Sequence, residues 1–191
     1  MKMFHSKNPR HRARAIWLMG KTDGRSVHHV NLASQDKDPD IRIIALRLAR
    51  QTGVPLISVI EKLASDKSAK VRRECAISLA HLRGPEKAKL WASLAMNHEA
   101  GDRWYLEALG IGASGDWDSC LRSWLEKVGD DWNSDSGKDI VWRSRAKVSA
   151  GLIAKIIKDP KTLEKDRERY LRALDFQSKA EKEAALLDIL Q

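Results

Sequence analysis

A short pattern recurs at a fixed step, and it constrains the fold more than any other feature of the chain. "SKNPRHRARAIWL" begins at Ser6, "DKDPDIRIIALRL" at Asp36 and "DKSAKVRRECAIS" at Asp66, a step of thirty residues. Lys7, Lys37 and Lys67 coincide, as do Arg12, Arg42 and Arg72, and as do Ala15, Ala45 and Cys75. A step of thirty-one then carries Arg72 to Arg103 and makes "GDRWYLEALGIGA", residues 101–113, a fourth copy. Leu32-Ala33-Ser34, Leu63-Ala64-Ser65 and Leu94-Ala95-Met96 repeat at the same longer step. A period of this length marks an array in which each unit buries its apolar face only against its neighbours.

Each unit reads as two helices. Ile41, Ile44, Ala45 and Leu48 follow the i, i+3, i+4, i+7 spacing of one helical stripe. Asp38-Pro39 starts that helix with a capping acid and a proline in the first turn, where no amide donor is missed. Gly53 and Pro55 break the chain, and "PLISVIEKLAS" supplies a partner helix with Leu56, Ile60 and Leu63 inward. No β-branched run alternates between turn signals, so the chain reads as all-α. The expected architecture is an α-solenoid of about five helical pairs with a C-terminal capping helix, in one domain over 1–191. Regular repeats cover about 6–128 and less regular helices about 139–191, including one long helix over about 139–157. "GIGASG" at 110–115 reads as a helix stop and turn.

The repeats resemble the HEAT repeat, in particular its phycobilisome-lyase-like subtype. The likeness rests on an Asp shortly before the helix, an apolar-Arg pair, and a small residue three positions after that Arg. These are Asp38 or Asp66, Ile41-Arg42 or Val71-Arg72, and Ala45 or Cys75. The resemblance implies that the apolar-Arg helices line the inner side of a right-handed superhelix. It also implies an Asp–Arg ladder between repeats, with Arg12, Arg42, Arg72 and Arg103 on one side and Asp36, Asp38 or Asp66 on the other. A narrower resemblance rests on "NPRHRARAIWLM", "DPDIRIIALRLAR", "GDRWYLEALGIGA", "KDIVWRSRAKVSAGLIAKII" and "RYLRALDFQ". These are similar to the HEAT segment of large bacterial proteins that join a propeller, a helical repeat and a c-type haem segment. The CxxCH of that family is absent here, so its redox chemistry does not carry over. That family is exported, which implies an extracytoplasmic compartment if the chain is a piece of such a protein. Without a signal peptide in its basic N-terminus, the chain as it stands is expected in the cytoplasm.

Charge sharpens the functional expectations. The net charge is +9, and residues 1–83 hold 17 Lys and Arg against 7 Asp and Glu, while residues 84–191 hold 18 against 19. Arg10, Arg14, Arg47, Arg50, Lys70 and Arg73 fall off the apolar stripes of the first three repeats and form a candidate basic strip. Trp104 and Tyr105 are the other candidate contacts, because earlier copies carry smaller or charged residues at those positions. Neither His28-His29 nor His98-Glu99 has metal-site spacing, and no nucleophile, phosphate-loop or dinucleotide motif is present. Cys75 and Cys120 form no CxxC pair. No apolar run reaches the roughly 18 residues of a membrane span. The expectation is a module without catalysis, cofactor or metal that binds a protein through its concave face. The alternative is nucleic-acid binding through the basic N-terminal repeats.

Overall fold

A computed structural model describes residues 2–191, and among them every regular element is helical. Twelve α-helices follow one another: α1 Pro9–Thr22, α2 Ser26–Ser34, α3 Pro39–Thr52, α4 Leu56–Leu63, α5 Ala69–Ser78, α6 Pro85–Ala95, α7 Arg103–Gly112, α8 Trp117–Val128, α9 Asp135–Arg143, α10 Ser149–Lys158, α11 Glu164–Ala173 and α12 Lys179–Ile189. About five pairs with a capping helix were expected, and the described residues hold one helix more, the last, α12, packing on α10. Each odd-numbered helix packs on the next odd-numbered one from α1 to α11, and α2, α4, α6 and α8 pack in turn on one another. No helix among the described residues is long and apolar enough to cross a membrane.

Local signals explain the helix starts. Asn8 and Asp38 cap α1 and α3 by accepting from the amides of Arg10 and Asp40, with Pro9 and Pro39 next in line. Gly53 ends α3 with a φ of 72°, a left-handed conformation that glycine adopts without a Cβ penalty. The sequence stripes face the core: Ile41, Ala45 and Leu48 are buried on α3 with Ile44 half-buried beside them, and Leu56, Ile60 and Leu63 are buried on α4.

The arginines of the repeat lock successive units together. Arg12 donates from Nη1 to the carbonyls of Ser6 and Lys7, and forks onto Asp36 from Nε and Nη2 at 3.1 Å each. Arg42 repeats this one unit later, holding the carbonyls of Asp36 and Lys37 and forking onto Asp66 at 2.5 and 2.7 Å. Each guanidinium therefore ties its own interhelical loop to the next one. Burial by itself would raise the Asp66 carboxyl, but the Arg42 fork and the Ser68 amide hold it below the usual carboxylate range. Asp38 is not a rung of this ladder, because its side chain is engaged as the cap of α3.

One segment departs from the sequence expectations. The long helix over 139–157 is broken: α9 stops at Arg143, Ser144 turns extended, and α10 begins at Ser149. Arg145 Nη1 donates to the carbonyls of Trp142, Arg143 and Ser144, satisfying acceptors that the lost helical turn leaves open. The stop and turn expected at "GIGASG" is present: α7 ends at Gly112 and the chain turns through residues 113–115. A Cβ on Gly112 would lie 2.3 Å from the carbonyl oxygen of Ala76, so this glycine lets α7 approach the backbone of α5.

Candidate binding surface

At the fourth unit the ladder changes character. Asp36 and Asp66 sit just after a helix, each amide bonded to the carbonyl three residues back, and His98 takes the same place after α6. With an imidazole in the acid's position, Arg72 has no carboxylate to fork onto. It donates to the Asp66 carbonyl, and its guanidinium lies 5.8 Å from the Tyr105 ring centroid. Its Nε is buried without a hydrogen-bond partner. Tyr105 is 1% exposed, stacks near His98, and donates from its hydroxyl to the Leu94 carbonyl. Burial pushes the Tyr105 phenol up to about 12, against the opposing influence of Arg72. Tyr105 is thus a core residue that fills the end of the ladder, not a surface contact.

Arg103 does not continue the series either. Its side chain is exposed, donates to Glu107 at 2.8 Å, and lies over the Trp142 ring at 5.8 Å. Arg143 of α9 takes the other oxygen of Glu107 at 2.9 Å and packs against Gly110, where a Cβ would fall 2.5 Å from its guanidinium carbon. Burial would raise the Glu107 carboxyl, yet the two arginines hold it below its ordinary value.

A carboxylate on α9 replaces the ladder in this half. Asp139 accepts from His98 Nε2 at 3.3 Å, from the Gly101 amide at 3.0 Å and from Arg169 Nη2 of α11 at 2.6 Å. It ties together the loop after α6, α9 and α11. Burial opposes the charged form, but the three donors hold the carboxyl well below the usual range.

Beside Asp139 a cavity of about 510 Å³ opens between the N-terminal ends of α7, α9 and α11, with Arg103, Lys138, Lys161, Thr162 and Arg169 in its wall. Asp135 and Asp166 line it too, so its charge is mixed. Around Arg169 a second groove of about 460 Å³ runs along α11, lined by Trp142, Lys165, Arg172 and Phe176. Aromatic rings and guanidiniums alternate here. Arg169 lies 4.5 Å over Trp142, whose indole donates to the Arg169 carbonyl, and Arg145 lies 4.5 Å over Phe176. Trp104, in the first turn of α7, is 75% exposed.

The basic strip expected in the first three repeats is only partly free. Arg47 and Arg50 both hold Glu74, at 2.8 and 2.9 Å, which offsets one of the two charges in the middle of the strip. Arg10 and Arg14 are exposed and make no ion pair among the described residues, and Arg73 is half-buried. The histidine pairs of the sequence serve internal bonds. His29 is buried against Asp23 at 2.7 Å, and the His28 and His29 rings meet edge to face at 5.3 Å rather than pointing apart. No three His, Cys, Asp or Glu side chains among the described residues converge as a metal site requires.

Asp139, Arg143, Trp142 and Arg169 were not singled out in the sequence. They lie outside the thirty-residue register, and only "DIVWR", with its acid, tryptophan and arginine on one short helix, hinted at them. Comparison with protein-family models, with curated proteins and with solved structures finds no match to this chain.

Proposed function

We propose that this protein is a non-catalytic binding module of HEAT-like kind, a right-handed α-solenoid whose odd-numbered helices form the inner face and engage a protein partner. The observation that carries the reading is Trp104, 75% exposed on a helix whose next residue, Tyr105, is anchored in the core. Exposing an indole costs water contact, and rigid exposed Trp together with Arg is the usual make-up of an interface hot spot. Trp104 follows Arg103, whose guanidinium lies over Trp142, and Trp142 lines the α11 groove with Arg169, Arg172 and Phe176.

The fate of the acid–base groups supports the non-catalytic part. His98 and His29 are buried and hydrogen-bonded to carboxylates that also serve arginines. Burial raises both cysteine thiols, that of Cys120 to about 12, which leaves neither poised as a nucleophile.

A photo-crosslinking amino acid at position 104 tests the reading in cells that make the protein. The expected product is one dominant protein adduct, lost when Trp142→Ala and Arg172→Ala are added. The same amino acid at the exposed Lys89 should give no such adduct. Equal labelling from both positions, or no protein adduct from position 104, overturns it.

A further inference from the structure

Most acids of the basic half are engaged by partners within the fold. Asp36 and Asp66 close the ladder, Glu74 holds Arg47 and Arg50, and Asp23 takes His29 and Arg25. Asp40 faces Lys70 at 3.7 Å, and Asp38 caps α3. Of the seven acids in residues 1–83, Glu61 alone makes no such bond among the described residues. The positive surplus is therefore left on the surface.

Part of that surplus is ordered. Lys7, Lys37 and Lys67 are exposed, and none makes an ion pair among the described residues. Each lies in the loop that launches α1, α3 or α5. Those loops are neighbours by direct contact. Arg12 bonds the Lys7 carbonyl and the Asp36 carboxylate together, Arg42 bonds the Lys37 carbonyl and Asp66, and Arg72 bonds the Asp66 carbonyl. The lysine backbones are thus clamped in a row, with the roughly 10 Å step of packed helices between them. Helix N-termini lie along the same edge and add to its positive potential. In the fourth unit Glu99 follows His98, where lysine follows the acid in the earlier two, and the row ends.

We propose that this edge binds the phosphate backbone of a nucleic-acid duplex, with Lys7, Lys37 and Lys67 as successive phosphate contacts. A duplex presents closely spaced charges along a line, so three ammonium groups on clamped loops meet phosphates without the partner folding. An acidic peptide would have to lose chain entropy to do the same. The contact is independent of base sequence, because phosphate contacts position a protein without reading bases. It lies in the first three units, whereas Trp104 stands at the start of α7 in the fourth, and either site can fail while the other stands.

Fluorescence anisotropy with a labelled duplex of about 20 base pairs, between roughly 50 and 200 mM salt, tests it. Two variants carry the same change of charge: Lys7→Gln/Lys37→Gln/Lys67→Gln on the edge, and Lys89→Gln/Lys147→Gln/Lys155→Gln away from it. The wild type should bind at low salt. The edge variant should have a slope of log K against log salt shallower by about 2.7, from three lost contacts at about 0.9 each. The other variant should keep the wild-type slope, and circular dichroism should be the same for all three. Absence of duplex binding at low salt overturns the proposal, as does an equal loss in both variants. So does displacement of the duplex by polyglutamate at equal charge, or tighter binding to anionic lipid vesicles.

Discussion

The first three units and the last three solve the same problem with different chemistry. At the joints from α1 to α3 and from α3 to α5 a repeated arginine reaches the acid of the next loop, and Arg47 and Arg50 on Glu74 reinforce the second joint. Along α7, α9 and α11 no joint repeats. Asp139 gathers three donors from three segments, Glu107 takes two arginines, and Arg169 and Arg145 lie over the rings of Trp142 and Phe176. The changeover is at His98, which occupies the place of Asp36 and Asp66. Replacing one carboxylate by an imidazole leaves Arg72 without an acid, and Tyr105 fills in with its ring. A periodic joint leaves its loops free to display a regular charge pattern. An irregular one builds cavities and exposes a tryptophan.

The comparison can be broken most severely at Asp139. Asp139→Ala removes the acceptor of one arginine, one histidine and one buried-loop amide, and thermal or denaturant unfolding should show a loss of about 4 kcal/mol. A loss under about 1 kcal/mol would mean that this half is held by packing alone. Asp66→Asn comes next, at about 3 kcal/mol, because it leaves the buried Arg42 fork with one charged partner fewer. Arg72→Met should cost well under half of that, since no carboxylate depends on it. Equal losses for the two would mean that the rung at Arg42 is not special. Gly112→Ala should cost about 2 kcal/mol by pushing α7 off the Ala76 carbonyl.

Acid should loosen both halves. Asp66, Glu107 and Asp139 are all held below their ordinary values in the folded chain, so their contribution is complete above about pH 5 and is lost as pH falls from there through the lowered folded values. The urea midpoint should therefore be flat from about pH 7 to 5 and fall below about 5, and less steeply in Asp66→Asn. A midpoint rising toward acid would contradict the sign. The smallest expected effect is that of Trp104→Ala, within about 0.5 kcal/mol of wild type, because an exposed indole contributes to binding and not to folding.

The helical class, the repeat and the caps were legible from residues alone, since Asn8-Pro9 and Asp38-Pro39 state where helices begin and the Ile41–Leu48 stripe states which side is buried. The rung from Arg42 to Asp66 was implied by the resemblance, with Asp36, Asp38 and Asp66 left open as acids. Its register lies in the spacing, because the same separation joins Arg12 to Asp36. The break at Ser144 had no such signal: neither Gly nor Pro marks it, and the cap comes from the side chain of Arg145 folding back on carbonyls before it.

Period and local chemistry thus determined that the chain is helical, that its units stack, and that its positive charge gathers in the first half. These depend on spacing and composition, which sequence carries directly. Tertiary structure decided which charges are free. Arg47 and Arg50 read as surface contacts until α5 brings Glu74 between them, and Tyr105 reads as exposed until α6 offers the Leu94 carbonyl to its hydroxyl. Whether a charge or a ring faces water depends on what a neighbouring helix places beside it, and that neighbour is more than ten residues away in the chain.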